Sequence, residues 1–278
     1  MTGNDMDGDR GRRRPPLASG GGSPPATGGR FRAAGGTGPT PPRQDRPHRR
    51  ARTEEPPGRD APPIPADVDA KHLAPEIRRE LKTLDRTTAE LVARHLVAAG
   101  ELIDDDPHAA LGHARAARAR SGRIAAVREA VGIAAYRCGD WAQALAELRA
   151  ARRLGSTSAL LALIADCERG LGRPERALEL ARGAEAARLS GDDADELRIV
   201  AAGARGDLGQ LEQALTVLST PPLDPSRTGS TAARLFYAYA DTLLALNRKD
   251  EALQWFLHSA AADVDGVTDA EERINELR

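Results

Sequence analysis

The residues with the densest metal chemistry in this sequence are Asp263, Asp265, Asp269 and Glu272, the first two set in Asp263-Val264-Asp265-Gly266. Carboxylates spaced around a turn glycine, with a bidentate glutamate last, are what a calcium loop uses. Placing Glu272 at that last position puts Ala261 at the first, where it has no side-chain oxygen to give, and a helix cap accounts for the acids equally well. His108 and His113 are five residues apart, so on a helix they diverge, whereas a zinc pair needs a spacing of four. Gly203-Ala204-Arg205-Gly206-Asp207-Leu208-Gly209 has the glycines of a phosphate loop, but no strand pattern precedes it and no Gly-Lys-Ser/Thr follows. No Ser/His/Asp or Cys/His set carries a local signature. The sequence therefore predicts no catalytic residue, no metal site and no cofactor, and argues against an enzyme.

A different chemistry belongs to the front of the chain. Arg12-Arg13-Arg14, Gly28-Gly29-Arg30-Phe31-Arg32 and Arg49-Arg50-Ala51-Arg52 are basic clusters of the kind that contact phosphates. Residues 1–66 carry a net charge of only +5, however, and Phe31 is their single aromatic for stacking on a base. They also hold 13 of the 19 prolines and 12 of the 27 glycines, which leaves too little apolar surface to offset the entropy of folding. A disordered, solvated tail is the plainer reading; the alternative is an RNA- or ribosome-associated factor whose Arg/Gly-containing tail makes weak nucleic-acid contact. Pro62-Pro63-Ile64-Pro65 reads as a stiff polyproline spacer leading into a domain over residues 67–278.

Cys138 and Cys167 are the only cysteines and both fall on apolar helical positions, which fits a reducing cytoplasm rather than a disulfide framework. No run approaches the ~18 apolar residues of a membrane span, and no signal peptide opens the chain. Three lysines beside 37 arginines, with abundant alanine, suggest a GC-rich, bacterial coding sequence.

The elements that must position any functional side chain are helices. After residue 74 the punctuation is helical throughout and strand alternation is absent. Pro75 suits a first turn, and Ile77, Leu81 and Leu84 share a face. Thr87-Thr88-Ala89-Glu90 reads as a capping box, as does Thr268 with Glu271. Asp105-Asp106-Pro107 restarts a helix, while Thr157-Ser158 and Asp192-Asp193 are candidate caps. Gly139, Gly172, Gly209 and Asn247 fall where a left-handed turn would join paired helices, and Thr220–Ser230 is the longest break. About twelve short helices are expected.

Five Ala-Leu pairs keep register along them, at Ala110-Leu111, Ala144-Leu145, Ala177-Leu178, Ala214-Leu215 and Ala252-Leu253, with steps of 34, 33, 37 and 38 residues. A period near 34 marks stacked helical hairpins, each of which needs neighbours to complete a core. Aligned on these pairs, the segments resemble tetratricopeptide repeats (TPRs). The clearest runs from Ala125 to Ser158, with Val131, Gly132, Gly139-Asp140-Trp141, Ala144, Leu148 and Ala151. The next has Ile164, Ala165, Gly172, Ala177 and Ala181; the last has Phe236, Tyr239, Ala240, Asn247, Ala252 and Phe256. The whole chain is also similar to TPR proteins of high-GC bacteria, a likeness that implies no mechanism.

The resemblance implies an all-α, right-handed superhelical solenoid of about five hairpins, at approximately 91–120, 123–156, 158–188, 193–219 and 231–262. A leading helix and a capping helix at 268–277 would close its ends. It also implies that the eighth and twentieth residues of each unit, such as Gly132 and Ala144, face each other and must be small. Positions two, five, nine and twelve of the first helices would line a concave groove. Here these include Glu129, Ile133, Tyr136, Asp166, Arg169, Glu196, Ile199, Arg234, Tyr237 and Asp241, with His95 from the first unit. Apolar contacts and charges mixed in this way suit a protein or peptide partner. Position nine is Ile133, Asp166, Gly203 or Asp241 rather than asparagine, so capture of a chaperone C-terminus is not expected.

Overall fold

The computed structural model describes residues 61–156 and 159–278, and among them every regular element is helical. Twelve α-helices follow in order: α1 (Pro75–Leu81), α2 (Arg86–Leu102), α3 (Pro107–Ser121), α4 (Ala125–Arg137), α5 (Trp141–Arg153) and α6 (Leu161–Gly170) lead. Then come α7 (Pro174–Ala181), α8 (Gly191–Asp207), α9 (Leu211–Leu218), α10 (Ser230–Ala245), α11 (Lys249–Ala262) and α12 (Ala270–Leu277). Consecutive helices pack together as α2–α3, α4–α5, α6–α7, α8–α9 and α10–α11, and each of these pairs also touches the next. Among the first helices of the pairs, α2 also meets α4, α6 meets α8, and α8 meets α10.

The turns repeat one chemistry. Gly139, Gly172, Gly209 and Asn247 all have φ between 62° and 72°, the left-handed region where glycine carries no Cβ penalty. At each, the next residue's N–H reaches back to a carbonyl five residues earlier: Asp140 to Ala135, Arg173 to Glu168, Gln210 to Arg205 and Arg248 to Leu243, all at 2.9–3.0 Å. This satisfies carbonyls that the helix end leaves without partners. The first pair has no turn glycine; Asp106 instead caps α3 by accepting from the Ala109 N–H at 3.0 Å.

The alanines of the five Ala-Leu pairs are at most 1% exposed, since a larger side chain there would hold the paired helices apart. Gly132 lies close against α5, one turn beyond Ala144: an added Cβ would be 2.7 Å from the Leu148 Cγ. Within and between the pairs, buried carboxylates act as clips. Glu147 of α5 holds Arg118 of α3 at 3.1 Å and Arg128 of α4 at 2.8 Å. Glu168 of α6 holds Arg149 of α5 at 2.6 Å. Each acid is desolvated but paired, which is the condition for keeping a charge inside.

Three expected caps differ. Asp85 caps α2 by accepting from the Thr88 N–H at 3.0 Å, because the helix begins one residue before the Thr87-Thr88-Ala89-Glu90 box. Ser190 precedes α8, and Asp192 and Asp193 sit in its first turn, favourable to the helix dipole without capping it. Thr268 donates to Asp263 at 2.7 Å, outside α12, so its box with Glu271 does not form. Thr157-Ser158 lies outside the described residues.

Residues just before 67 also touch the first helix pair. Ile64 is half-buried against the first core cluster, and Arg94 of α2 donates to the Pro65 and Val68 carbonyls at 3.2 and 2.9 Å. Pro62 packs beside Gly112, with 3.7 Å between its Cγ and the position of an added Cβ. The Pro62-Pro63-Ile64-Pro65 stretch, expected as a stiff spacer, is therefore a strap laid on the first helix pair. The remainder of the expected tail, residues 1–60, lies outside the described residues.

Candidate functional site

One wide cavity among the described residues follows from how three side chains are seated. Trp141, the first residue of α5, covers Gly170 of α6; an added Cβ would lie 2.5–2.7 Å from three atoms of the indole's five-membered ring. The Arg169 guanidinium covers Gly203 of α8 in the same way, 2.5 Å from an added Cβ. Tyr136 of α4 meets Trp141 edge to face at 5.1 Å between centroids. Glycine at both contact points lets aromatic and guanidinium planes rest on helix backbone, which opens a groove of about 800 Å³ across α4, α6, α8 and α10.

Six of the ten expected groove residues line it: Tyr136, Asp166, Arg169, Glu196, Ile199 and Arg234. Their charges are tied to one another. The Tyr136 hydroxyl donates to the Asp166 carboxylate, which also accepts from Arg169 Nη1 at 2.7 Å. Arg169 then forks onto Asp207, with Nε and Nη2 at 2.8 and 3.2 Å from its two oxygens. Arg234, only 5% exposed, donates to Glu196. Burial, reinforced by the Asp166 charge, pushes the Tyr136 phenol well above its ordinary range, so it stays a donor. Burial works against the Arg169 charge, yet its bonds to Asp207 and Asp166 hold the guanidinium above its ordinary value. The apolar part of the lining comes from Trp141, Leu163, Ile199 and Val200.

The other expected residues sit elsewhere. Tyr237 stacks edge-on to Phe256 at 5.2 Å, and Asp241 meets Arg273 of α12 at 3.4 Å, forming a separate cluster near the C-terminus. Burial pushes the Asp241 carboxyl up despite Arg273. Glu129 accepts from the Ser156 hydroxyl at 2.9 Å, and Ile133 packs against the core around α4 and α5. His95 is not a groove residue. It is 2% exposed and turned into the α2–α3 pair, where its Nδ1 lies 3.0 Å from Nδ1 of His113. Burial, then the charges of His113, Arg120 and Arg94, push the His95 pKa down to about 4.

Sequence reading missed Arg137, Trp141, Leu163 and Asp207 as groove lining. Trp141 had a signal, since it follows the turn at Gly139-Asp140; Asp207 had none, being 38 residues beyond Arg169. Two acids of the calcium-like stretch are engaged, Asp263 within the α11–α12 loop and Asp265 with the start of α10. Asp263 accepts from the N–H groups of Val267 and Thr268 at 2.8 and 2.7 Å, and Asp265 from the Ser230 hydroxyl at 2.5 Å. Among the described residues no three His, Cys, Asp or Glu side chains are grouped to hold a metal ion. Cys138 and Cys167 are free thiols, the latter pushed up to about 12 by burial. No described helix is long and apolar enough to cross a membrane. The arginine clusters expected to contact nucleic acid lie outside the described residues. No family model matches this chain, and no curated protein matches it.

Proposed function

We propose that this chain is a noncatalytic, cytoplasmic interaction module: a TPR-like, right-handed solenoid of about five hairpins that holds a protein segment in its groove. One observation carries the reading. Six side chains, spread from Tyr136 to Arg234 and aligned only through the repeat register, line a single 800 Å³ groove. A cavity of that size accommodates several residues of an extended or helical peptide.

The same geometry refines what each residue contributes. Arg169, Asp166 and Asp207 hold the groove walls together, because their charges are spent on each other. Contact with a partner falls to Trp141, Leu163 and Ile199, apolar surfaces that remain half-exposed on the lining. The test is to change Leu163 to Glu and compare partner capture with a Gln254→Glu control on exposed α11. The reading expects capture to be lost for the first and kept for the second, with both variants still folded by circular dichroism at the assay temperature. Equal capture by both variants would contradict it.

A further inference from the structure

A second cavity, of about 240 Å³, lies where α7, the 3-10 turn Ala186–Arg188, α8 and α9 converge, apart from the groove. Its walls are apolar: Leu178 of α7, Leu197 and Ala201 of α8, and Val217 of α9. Its charged lining is of one sign only. Arg182, Arg198 and Arg205 border it, and among the described residues no carboxylate does.

The three arginines differ in what they have left to give. Arg198 is committed, with Nη1 on Asp195 at 2.6 Å and Nη2 on the carbonyls of Leu218 and Pro221. Among the described residues Arg205 donates only to Gln210, and its buried Nε has no partner there. Arg182 makes no side-chain hydrogen bond or ion pair among the described residues. The acids nearest in sequence are already engaged: Glu179 with Arg176, Glu185 with Arg152, and Asp195 with both Arg198 and Arg227. Two guanidinium groups thus border an apolar pit with no counter-charge from the described residues.

We propose that this cavity binds a small amphiphilic carboxylate. The alkyl part lies against Leu178, Leu197 and Val217, and the carboxylate takes charge-assisted hydrogen bonds from Arg182 and Arg205. The volume falls just below the ~300–1,000 Å³ of drug-sized sites, which sets the ligand at roughly ten non-hydrogen atoms, the size of octanoate. The inference is independent of the peptide groove.

Titration of the full chain with octanoate, followed by calorimetry, tests it against 1-octanol, octylammonium and acetate. Octanoate is expected to bind at one site, about tenfold or more tighter than octanol or acetate, with octylammonium rejected. Ala194→Leu, which adds side chain to the cavity wall, should abolish binding. Arg205→Gln should weaken it about tenfold, and the exposed, unpaired Arg182→Gln gives the same readout if Arg205 proves necessary for folding. Octanol binding as tightly as octanoate would overturn the proposal. So would an affinity that Ala194→Leu and Arg182→Gln leave unchanged.

Discussion

The indole of Trp141 covers Gly170 so closely that a methyl group on that glycine would sit 2.5 Å from the ring. Trp141 opens the second helix of one pair and Gly170 closes the first helix of the next, so this contact couples neighbouring pairs and shapes the groove wall at once.

Gly170→Ala should therefore destabilise the protein by ~1–3 kcal/mol and move the tryptophan, through overpacking. Gly172→Ala, with open space around its Cβ but φ of 71°, should cost a comparable ~1–2 kcal/mol through backbone strain alone. Thermal melts combined with tryptophan emission separate the two. A blue or red shift is expected only for Gly170→Ala, and identical spectra for both would refute the seating.

The alanine register makes a second prediction. Ala177→Leu should cost ~1–3 kcal/mol, because Ala177 is 0% exposed between α6 and α7. Ala146→Leu, on the exposed face of α5, should cost under ~0.5 kcal/mol. Gln143 would be a poor control, since its side chain accepts from Arg115 and its N–H caps onto Asp140. Chemical denaturation at fixed pH gives both values.

The strap predicts the true start of the domain. A chain beginning at residue 67 loses Ile64 and the Pro65 carbonyl that Arg94 uses, and should be less stable than one beginning at 61 by ~1–2 kcal/mol. Arg94→Leu in the longer chain should remove most of that difference. Equal denaturation midpoints for the two starts would mean the strap contributes nothing.

Stability should also depend on His95. Its folded pKa, about 4, lies below the unfolded value of 6.5, so the unfolded chain binds the extra proton between those limits. Stability from this group is fully present above pH 6.5 and is lost as pH falls toward 4. The double variant His95→Gln, His113→Gln should show a shallower decline over that window, measured by melting temperature against pH. Parallel curves would sink the assignment.

Helix boundaries were largely legible because glycine, asparagine, proline and aspartate at fixed offsets have strong backbone consequences. The four turns at Gly139, Gly172, Gly209 and Asn247 are cases where one residue type dictates one local geometry. Side-chain destinations were less legible. Successive helical residues are set ~100° apart, so a small rotation of one helix against its neighbour decides whether a residue faces groove or interior. His95 shows this, having turned from the expected groove into the α2–α3 interior. Glu147 and Glu168 show it too: long arginine stems on alanine-rich helices reach inward to pair with acids that sequence alone would leave on a solvated face.

The most direct measurement is site-specific photo-crosslinking with one probe at Leu163, on the groove lining, and another at Gln254, on exposed α11. Partner adducts should form from Leu163 and not from Gln254, and Leu163→Glu elsewhere in the population should compete poorly for the same partner. Adducts from Gln254 alone would place the binding surface outside the groove and contradict the account, even with every helix where it is.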